Sequence, residues 1–242
     1  MLDALERGGK VVAAAALVLF SILLVAPLSG CAYSYSAGSI EGRVVDAETE
    51  QPLEGVIVVA NWALEFGWEG GSLATLYLAE AQTDANGRYF IPAWGPKMVP
   101  GKLPSEARLK NDDPALYFYL NGYEYHVVTN SRSIKEMAKK GPAVRSSEWN
   151  GRTIRLRRFA GTPEEYRKRV LALWQGNVFL RPDTMVECEW KRVPTLIRTF
   201  KKSHGIELVA DHAALRRSGP DPYPPETNPC EGESEFVREM LK

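Results

Sequence analysis

Apolar and polar residues alternate through the middle of the chain at the spacing of β-strands. Ile40-Glu41-Gly42-Arg43-Val44 alternates apolar or small residues with charged ones, which is the pattern of a half-buried strand. Residues 56–60 form an unbroken, mostly β-branched run, which favours a strand as well. About seven such short strands between residues 39 and 159 are typical of an antiparallel β-sandwich. The segments that carry this pattern include residues 40–44, 56–60, 88–91, 116–120, 123–127 and 152–158.

Two turn signatures separate predicted strands. Thr83-Asp84-Ala85-Asn86-Gly87 predicts a tight hairpin loop in which Gly87 takes a positive φ. Asn121-Gly122 lies between two aromatic-rich segments and is the signature of a two-residue type I′ hairpin. We therefore expect residues 116–120 and 123–127 to pair directly.

The pattern becomes helical after residue 160. Thr162-Pro163-Glu164-Glu165 is a capping box with proline at the first helical position, and it predicts a helix to about Trp174. A second helix is predicted over residues 194–203. Residues 218–229 contain five prolines and cannot form regular structure, and Ser234 is placed to cap a short terminal helix. We interpret residues 160–242 as a helical extension that packs on the sandwich.

The first thirty residues follow a different pattern. Sixteen residues from Val11 to Ala26 are apolar apart from Ser21, and Arg7 and Lys10 precede them. A helix of that length spans about 24 Å, short of the roughly 30 Å hydrocarbon core of a bilayer, so a signal-peptide core is favoured over a membrane span.

Leu28-Ser29-Gly30-Cys31 follows this run and resembles the lipobox of bacterial lipoprotein precursors. The resemblance implies cleavage between Gly30 and Cys31 and lipidation of Cys31, whose acyl chains attach the protein to a membrane. Ala32, rather than aspartate, follows the cysteine and favours the outer membrane, facing the periplasm. We therefore expect a signal peptide over residues 1–30 and a lipidated tether over residues 31–38. An ordinary signal peptide and an uncleaved anchor are the alternatives.

Two cysteines remain once Cys31 is lipidated. Cys188 and Cys230 form an even pair in a chain that we expect to be exported into an oxidising compartment. We predict a disulfide between them, with two unpaired buried thiols as the alternative.

The two strand-and-turn blocks together resemble a known family. Ile40-x-Gly42-x-Val44-x-Asp46, Pro52-Leu53-x-Gly55-Val56 and Thr83-Asp84-x-x-Gly87-x-Tyr89-x-Ile91-Pro92 are similar to the motifs of the carboxypeptidase regulatory-like domain. The resemblance covers residues 39–159 and implies a seven-stranded, transthyretin-like (prealbumin-like) sandwich. It implies little about function, because this module usually forms a non-catalytic part of larger proteins.

The charge balance excludes one class of partner. Lys+Arg and Asp+Glu both total 30, so the formal net charge is zero. Without a basic excess to neutralise phosphates, we expect no nucleic-acid partner.

A metal-dependent hydrolase would have to use the few histidines. His204-Gly205-Ile206-Glu207 has the H-x-x-E spacing of a zinc site, and His212 follows Glu207 closely. Gly205 interrupts that motif at a predicted helix end, so a zinc site is disfavoured. Asp84-Ala85-Asn86-Gly87 lacks the further acidic ligands that calcium needs. We expect no catalytic residues, no metal and no cofactor.

Aromatic residues in the predicted connections are the remaining candidates for a site. Trp62, Phe66, Trp68 and Trp94 lie in or beside two long connections, and such loops often carry recognition. Packing of these rings beneath the loops is the alternative. Tyrosines 117, 119, 123 and 125 present the same choice between a stacking platform and cross-strand packing.

These observations lead to one main functional hypothesis. We expect a non-catalytic envelope lipoprotein that binds an envelope protein or glycan, anchored through Cys31. A small hydrolase using His204, Glu207 and His212 is one alternative, and a carbohydrate-binding module using the loop tryptophans is another.

Overall fold

Eleven strands and two α-helices lie in the part of the chain described by a computed structural model, which covers residues 34–66, 71–101, 103–110, 112–131, 142–176 and 189–204. All of these residues belong to one unit, Tyr33–Lys242. The strands are β1 (Ser34–Ala37), β2 (Ile40–Asp46), β3 (Ile57–Phe66), β4 (Gly71–Gln82), β5 (Arg88–Ile91), β6 (Trp94–Met98), β7 (Arg108–Leu109), β8 (Ala115–Tyr119), β9 (His126–Val128), β10 (Val144–Arg145) and β11 (Arg152–Leu156). The helices are α1 (Pro163–Gly176) and α2 (Pro194–His204), and a 3₁₀ helix spans Glu189–Arg192.

The strands form three sheets, with the orders β11-β2-β5, β4-β3-β8-β9 and β10-β1-β6, and β7 pairs with β3. The protein is thus mainly β, as predicted. The described residues contain more strands than the seven expected. Residues 34–37 of the predicted tether form β1, the connection from Trp94 onwards contains β6 and β7, and β10 forms before the last predicted strand. Two pairings are parallel rather than antiparallel, β2 with β11 and β1 with β10.

The three sheets share one hydrophobic core, to which the β10-β1-β6 sheet contributes Tyr35, Ala37 and Trp94. The rings of Tyr89 in β5 and Phe118 in β8 meet edge to face, with centroids 5.7 Å apart. Val44 and Ile154 from the β2 sheet and Leu116 from β8 are buried in the same cluster. Burying apolar surface from two facing sheets is the main source of stability in such an arrangement, which is consistent with the predicted sandwich.

β3 is buried on both faces. Its even-numbered residues from Val58 to Leu64 belong to the shared core, while Ile57 and Val59 are buried on the opposite side. On that outer side the ring of Tyr119, which pairs with Ile57, meets Phe200 of α2 at 4.7 Å between centroids. Helix α2 therefore packs on the outer face of the β4-β3-β8-β9 sheet.

The two helices have different N-terminal caps. In α1 the backbone N–H of Thr162 donates to Oε2 of Glu165 at 2.7 Å, and the N–H of Glu165 donates back to Oγ1 of Thr162 at 3.3 Å, which confirms the capping box. Before α2 stands Val193, which has no side-chain acceptor. The carboxylate of Glu80 in β4 accepts the N–H groups of Thr195 and Leu196 instead, at 2.9 and 2.8 Å.

Neither helix in the described residues is long and apolar enough to cross a membrane.

The turn after β4 follows its prediction locally but joins different strands. Oδ1 of Asp84 accepts the N–H groups of Asn86 and Arg88, and Gly87 has a φ of 72°. A Cβ at Gly87 would collide with the carbonyl oxygen of Val44, so glycine is required there. β4 and β5 belong to separate sheets, so the turn carries the chain across the core and closes no hairpin.

The two-residue hairpin predicted at Asn121-Gly122 is wrong. β8 and β9 pair in the register Leu116 with Val128 and Phe118 with His126, which leaves a wider connection. Tyr123 forms a bridge with Arg158 instead, and the N–H of Glu124 donates to the carbonyl of Arg157 at 2.8 Å. The segment after the turn therefore pairs with the end of the other sheet before it joins β9.

Candidate functional site

Two of the four aromatic residues predicted as a binding surface lie in the core. Trp62 is fully buried within β3, and Trp94 at the start of β6 is buried as well. Their rings meet at 5.3 Å between centroids, and Tyr77 stacks on Trp94 at 4.6 Å. Trp62 is not in a connection, because β3 continues to Phe66. The predicted binding surface is therefore wrong for Trp62 and Trp94, whose rings pack in the core instead.

Most of the other predicted site residues lie outside the part of the chain that the structure describes. Phe66 is exposed at the end of β3. Gly30, Cys31, Trp68, Cys188, Glu207, His212 and Cys230 lie outside the described residues, as does the side chain of His204. The tyrosines do not form a platform, because Tyr119 and Tyr123 are buried and only Tyr125 is notably exposed.

A buried carboxylate fixes one end of the shared core. Oδ1 of Asp46 accepts the N–H groups of Glu48 and Thr49, at 2.9 and 3.1 Å. Oδ2 accepts the hydroxyl of Tyr123 at 2.9 Å and Nε of Arg158 at 3.0 Å. The two backbone donors, followed by Tyr123, hold the pKa of Asp46 well below its ordinary value. The carboxylate is fully engaged and therefore positions its neighbours rather than offering a ligand site.

Beside this carboxylate a depression of about 510 Å³ opens on the surface. It lies between β9 and β11, which are the outer strands of their two sheets. We call it the edge depression, and its lining residues are Ala47, Glu124, Tyr125, His126, Arg155, Leu156 and Arg157. The Tyr123–Arg158 bridge adjoins it, so its walls belong to elements that are tied together.

The charges around the edge depression are mostly paired. Arg155 donates to Glu50 at 2.7 Å, and Glu124 accepts from Arg169 of α1 at 3.0 Å. Arg157 has no ion pair within the described part of the chain. Since Arg155 and Glu124 are each neutralised by an ion pair, the guanidinium of Arg157 gives the depression one positive charge without a partner among the described residues. Such a charge suits a carboxylate or phosphate group.

His126 adds a titratable ring to the same wall. Its partial burial lowers the pKa of the imidazole below the ordinary value, so the ring is neutral at pH 7. A neutral imidazole both donates and accepts hydrogen bonds. The edge depression thus combines a cation, a neutral hydrogen-bonding ring and the exposed aromatic side chain of Tyr125.

A second group of charged residues is internal and serves the fold. Oδ2 of Asp113 accepts the N–H of Ala63 at 2.7 Å, and Glu65 pairs with Arg108 at 3.1 Å. Arg145 donates to the carbonyl of Leu109 at 3.0 Å. Complete burial raises the pKa of Asp113 well above its ordinary value. These contacts fasten the segment around β7 to the end of β3.

Metal ligands do not cluster in the described residues, where no group of three or more histidine, cysteine, aspartate or glutamate side chains is placed to hold an ion.

No protein-family model matches the chain, and no curated protein sequence matches it. Solved structures do match. A 3-chlorocatechol 1,2-dioxygenase from Rhodococcus opacus 1CP is 17% identical with a TM-score of 0.31, over 52% of this chain and 61% of that one. A chlorocatechol 1,2-dioxygenase from Pseudomonas putida is 13% identical, with a TM-score of 0.29 over the same shares. The dioxygenase domain of a carbohydrate-binding fusion from Streptomyces sp. SirexAA-E is 15% identical, with a TM-score of 0.26 over 55% and 84%.

This chain spans about three fifths of the length of the first two dioxygenases. All three TM-scores are below 0.5, so these likenesses carry no argument about the fold or the activity of this protein.

The sequence analysis did not predict the edge depression as a site. The alternation in Arg152-Thr153-Ile154-Arg155-Leu156-Arg157 predicts arginines on the outward face of β11. That this face adjoins His126 depends on the way two sheet edges meet, for which the sequence has no local signal.

Proposed function

We propose that this protein is a membrane-anchored extracytoplasmic lipoprotein and a non-catalytic binding or assembly module of the cell envelope. Its anchor is the lipid on Cys31, and its contact site is the edge depression, which receives an acidic group of an envelope partner. The observation that carries the contact site is Arg157, whose guanidinium has no ion pair among the described residues and lies beside His126 and Tyr125 on elements held together by Asp46. The outer membrane, facing the periplasm, is the proposed location.

We also propose the finer fold, a seven-stranded prealbumin-like sandwich in which all strand pairings but that of β2 with β11 are antiparallel. Its two sheets are β11-β2-β5 and β4-β3-β8-β9, which together contain seven strands. The sheet β10-β1-β6 and the short β7 are additions to it. The motif residues Gly87 and Asp46 support this assignment, because each has a specific structural role in joining the two sheets.

The contact site is tested by crosslinking in intact cells. A photo-reactive benzoylphenylalanine in place of Tyr125 keeps an aromatic ring at the rim of the edge depression. We expect it to form an adduct with an envelope component, and we expect Arg157→Glu to abolish that adduct because the variant repels an acidic group.

Arg152→Glu is the matched control, since Arg152 is exposed at the start of β11, the strand that Arg157 directly follows, but does not line the depression. The control should keep the adduct. An adduct that survives Arg157→Glu, or that both variants abolish equally, would contradict the proposed contact site.

A further inference from the structure

The predicted tether between the lipid and the folded domain is much shorter than eight residues. Residues 34–37 form β1, which pairs with β6 on one side and β10 on the other. Tyr35 and Ala37 of this strand are buried. Only Ala32 and Tyr33 separate Cys31 from β1, so the Cα atoms of Cys31 and Ser34 are at most about 11 Å apart.

The outer face of the β1 sheet consists of Ser34, Ser36, Met98 and Val144. Ser34 pairs with Met98 and Ser36 pairs with Val144, and paired residues point to the same side of a sheet. Met98 is 61% exposed and Val144 is 64% exposed, the highest values among the large apolar side chains that the structure describes. Two exposed apolar side chains therefore flank the strand that begins three residues after the lipidation site.

Among the described residues, this face has no charged side chain, although its strands contain two basic residues. The ammonium of Lys97 lies 5.7 Å from the ring centroid of Tyr77, on the side of the sheet that faces the core. Arg145 is buried and lies over the ring of Tyr35 at 5.4 Å. Both cations thus turn away from the outer face, in contrast to the outward arginines of β11.

We propose that the outer face of the β1 sheet lies against the membrane surface in which the lipid on Cys31 is embedded. The inference rests on the proposed lipid anchor. A tether this short keeps the first strand at the bilayer interface, and an uncharged face with two apolar side chains is suited to contact with the boundary between headgroups and acyl chains. The edge depression, on other strands, is left to bind the partner.

Photo-crosslinking of the full-length protein in cell membranes tests this orientation. Benzoylphenylalanine replaces Met98, Val144 or Phe90 in three separate variants. Phe90 is the matched control, because it is 58% exposed but lies on β5 in another sheet. Intact-mass spectrometry after irradiation detects adducts with the mass of a membrane phospholipid. We expect such adducts at positions 98 and 144 and none above background at position 90.

Several results would overturn the proposal. Lipid adducts at all three positions would show contact without orientation, and protein adducts at positions 98 and 144 would identify the face as a protein-binding surface. The same spectra report the acylation of Cys31. An acylated protein without lipid adducts refutes this inference alone, whereas an unacylated protein refutes the anchor and the inference together.

Discussion

Asp46 joins three separate parts of the chain through one carboxylate. Its two carboxylate oxygens accept hydrogen bonds from the N–H groups of the turn at Glu48 and Thr49, from the hydroxyl of Tyr123 and from the guanidinium of Arg158. Asp46 itself belongs to a recognisable sequence motif. Its partners could not be predicted, because Tyr123 and Arg158 are 77 and 112 residues away and nothing local in their sequence indicates the contact.

We predict that Asp46→Asn lowers the free energy of unfolding at neutral pH and that the difference from the unchanged protein narrows progressively as the pH falls below about 4. The folded-state pKa of Asp46 lies below the unfolded value of about 3.9. Its stabilisation is therefore complete above that value and is lost as the pH falls further, when the folded carboxylate becomes protonated. Denaturant titrations from pH 7 down to about pH 2 measure this narrowing, most of which falls below the unfolded-state pKa.

Asp84→Asn is the control, since Asp84 caps an exposed turn and, among the described residues, accepts only backbone N–H groups, with neither a tyrosine hydroxyl nor an arginine guanidinium as a partner. A difference for Asp46→Asn that persists unchanged at low pH would contradict this account.

At the scale of elements, local sequence signals were reliable where neighbouring residues decide the structure. The capping box of α1 and the start of α2 at Pro194 follow their predictions. The two-residue hairpin at Asn121-Gly122 does not form. A β-turn closes there, with the N–H of Tyr123 donating to the carbonyl of Leu120 at 3.0 Å, but Tyr123 then bridges to Arg158 and donates its hydroxyl to Asp46. Long-range pairing decided the register there, although the local turn residues favoured another one.

The burial of β3 on both faces could be predicted from the sequence. Residues 56–60 are apolar without alternation, and an unbroken apolar run indicates a strand that is buried on both faces. The sequence did not indicate that α2 is the element that covers the outer face of β3. That covering depends on Glu80 and Phe200, which are distant in sequence and have no shared motif.

We predict that Glu80→Ala loosens α2. The variant leaves the N–H groups of Thr195 and Leu196 without their acceptor, which typically costs about 1 kcal/mol and at most about 2 kcal/mol. Amide hydrogen exchange should accelerate over residues 194–204. Glu80→Gln keeps an acceptor without the charge, so its exchange rate over residues 194–204 should lie between those of the unchanged protein and of Glu80→Ala.

Glu164→Ala is the comparison at the other helix. Glu164 is exposed and forms an i,i+4 pair with Lys168, so its loss should change stability by no more than about 0.5 kcal/mol. Equal exchange rates in α2 for Glu80→Ala and for the unchanged protein would show that Glu80 does not cap this helix.

At the scale of the whole molecule, the described segments after α1 contact one sheet, the 3₁₀ helix through β4 and α2 through β8. The 3₁₀ helix Glu189–Arg192 begins one residue after Cys188, and Arg192 donates to the hydroxyl of Tyr77 at 3.3 Å. Cys188 is therefore attached to a segment that contacts β4. A bridge to Cys230 would fasten the proline-rich stretch near this point.

We predict that the mature protein has no free thiol under denaturing, non-reducing conditions. A disulfide closing a loop of this length stabilises a protein by up to about 4 kcal/mol in the chain-entropy model. Reduction should expose two thiols and increase protease cleavage after about residue 205, while fragments of the three-sheet core remain intact. Two readily alkylated thiols in protein isolated from the envelope would disprove the bridge.

Lipidation at Cys31 is the premise on which the location, the membrane contact and the envelope role depend. Its most direct test is mass spectrometry of the N-terminal peptide from the membrane fraction, for the unchanged protein and for Cys31→Ala. We predict that the mature chain begins at Cys31 and carries a diacylglyceryl group, and that Cys31→Ala remains an unprocessed precursor that includes residues 1–30. A mature chain with an unmodified Cys31 would contradict the account, as would a Cys31→Ala variant that matures to the same size and still partitions into detergent.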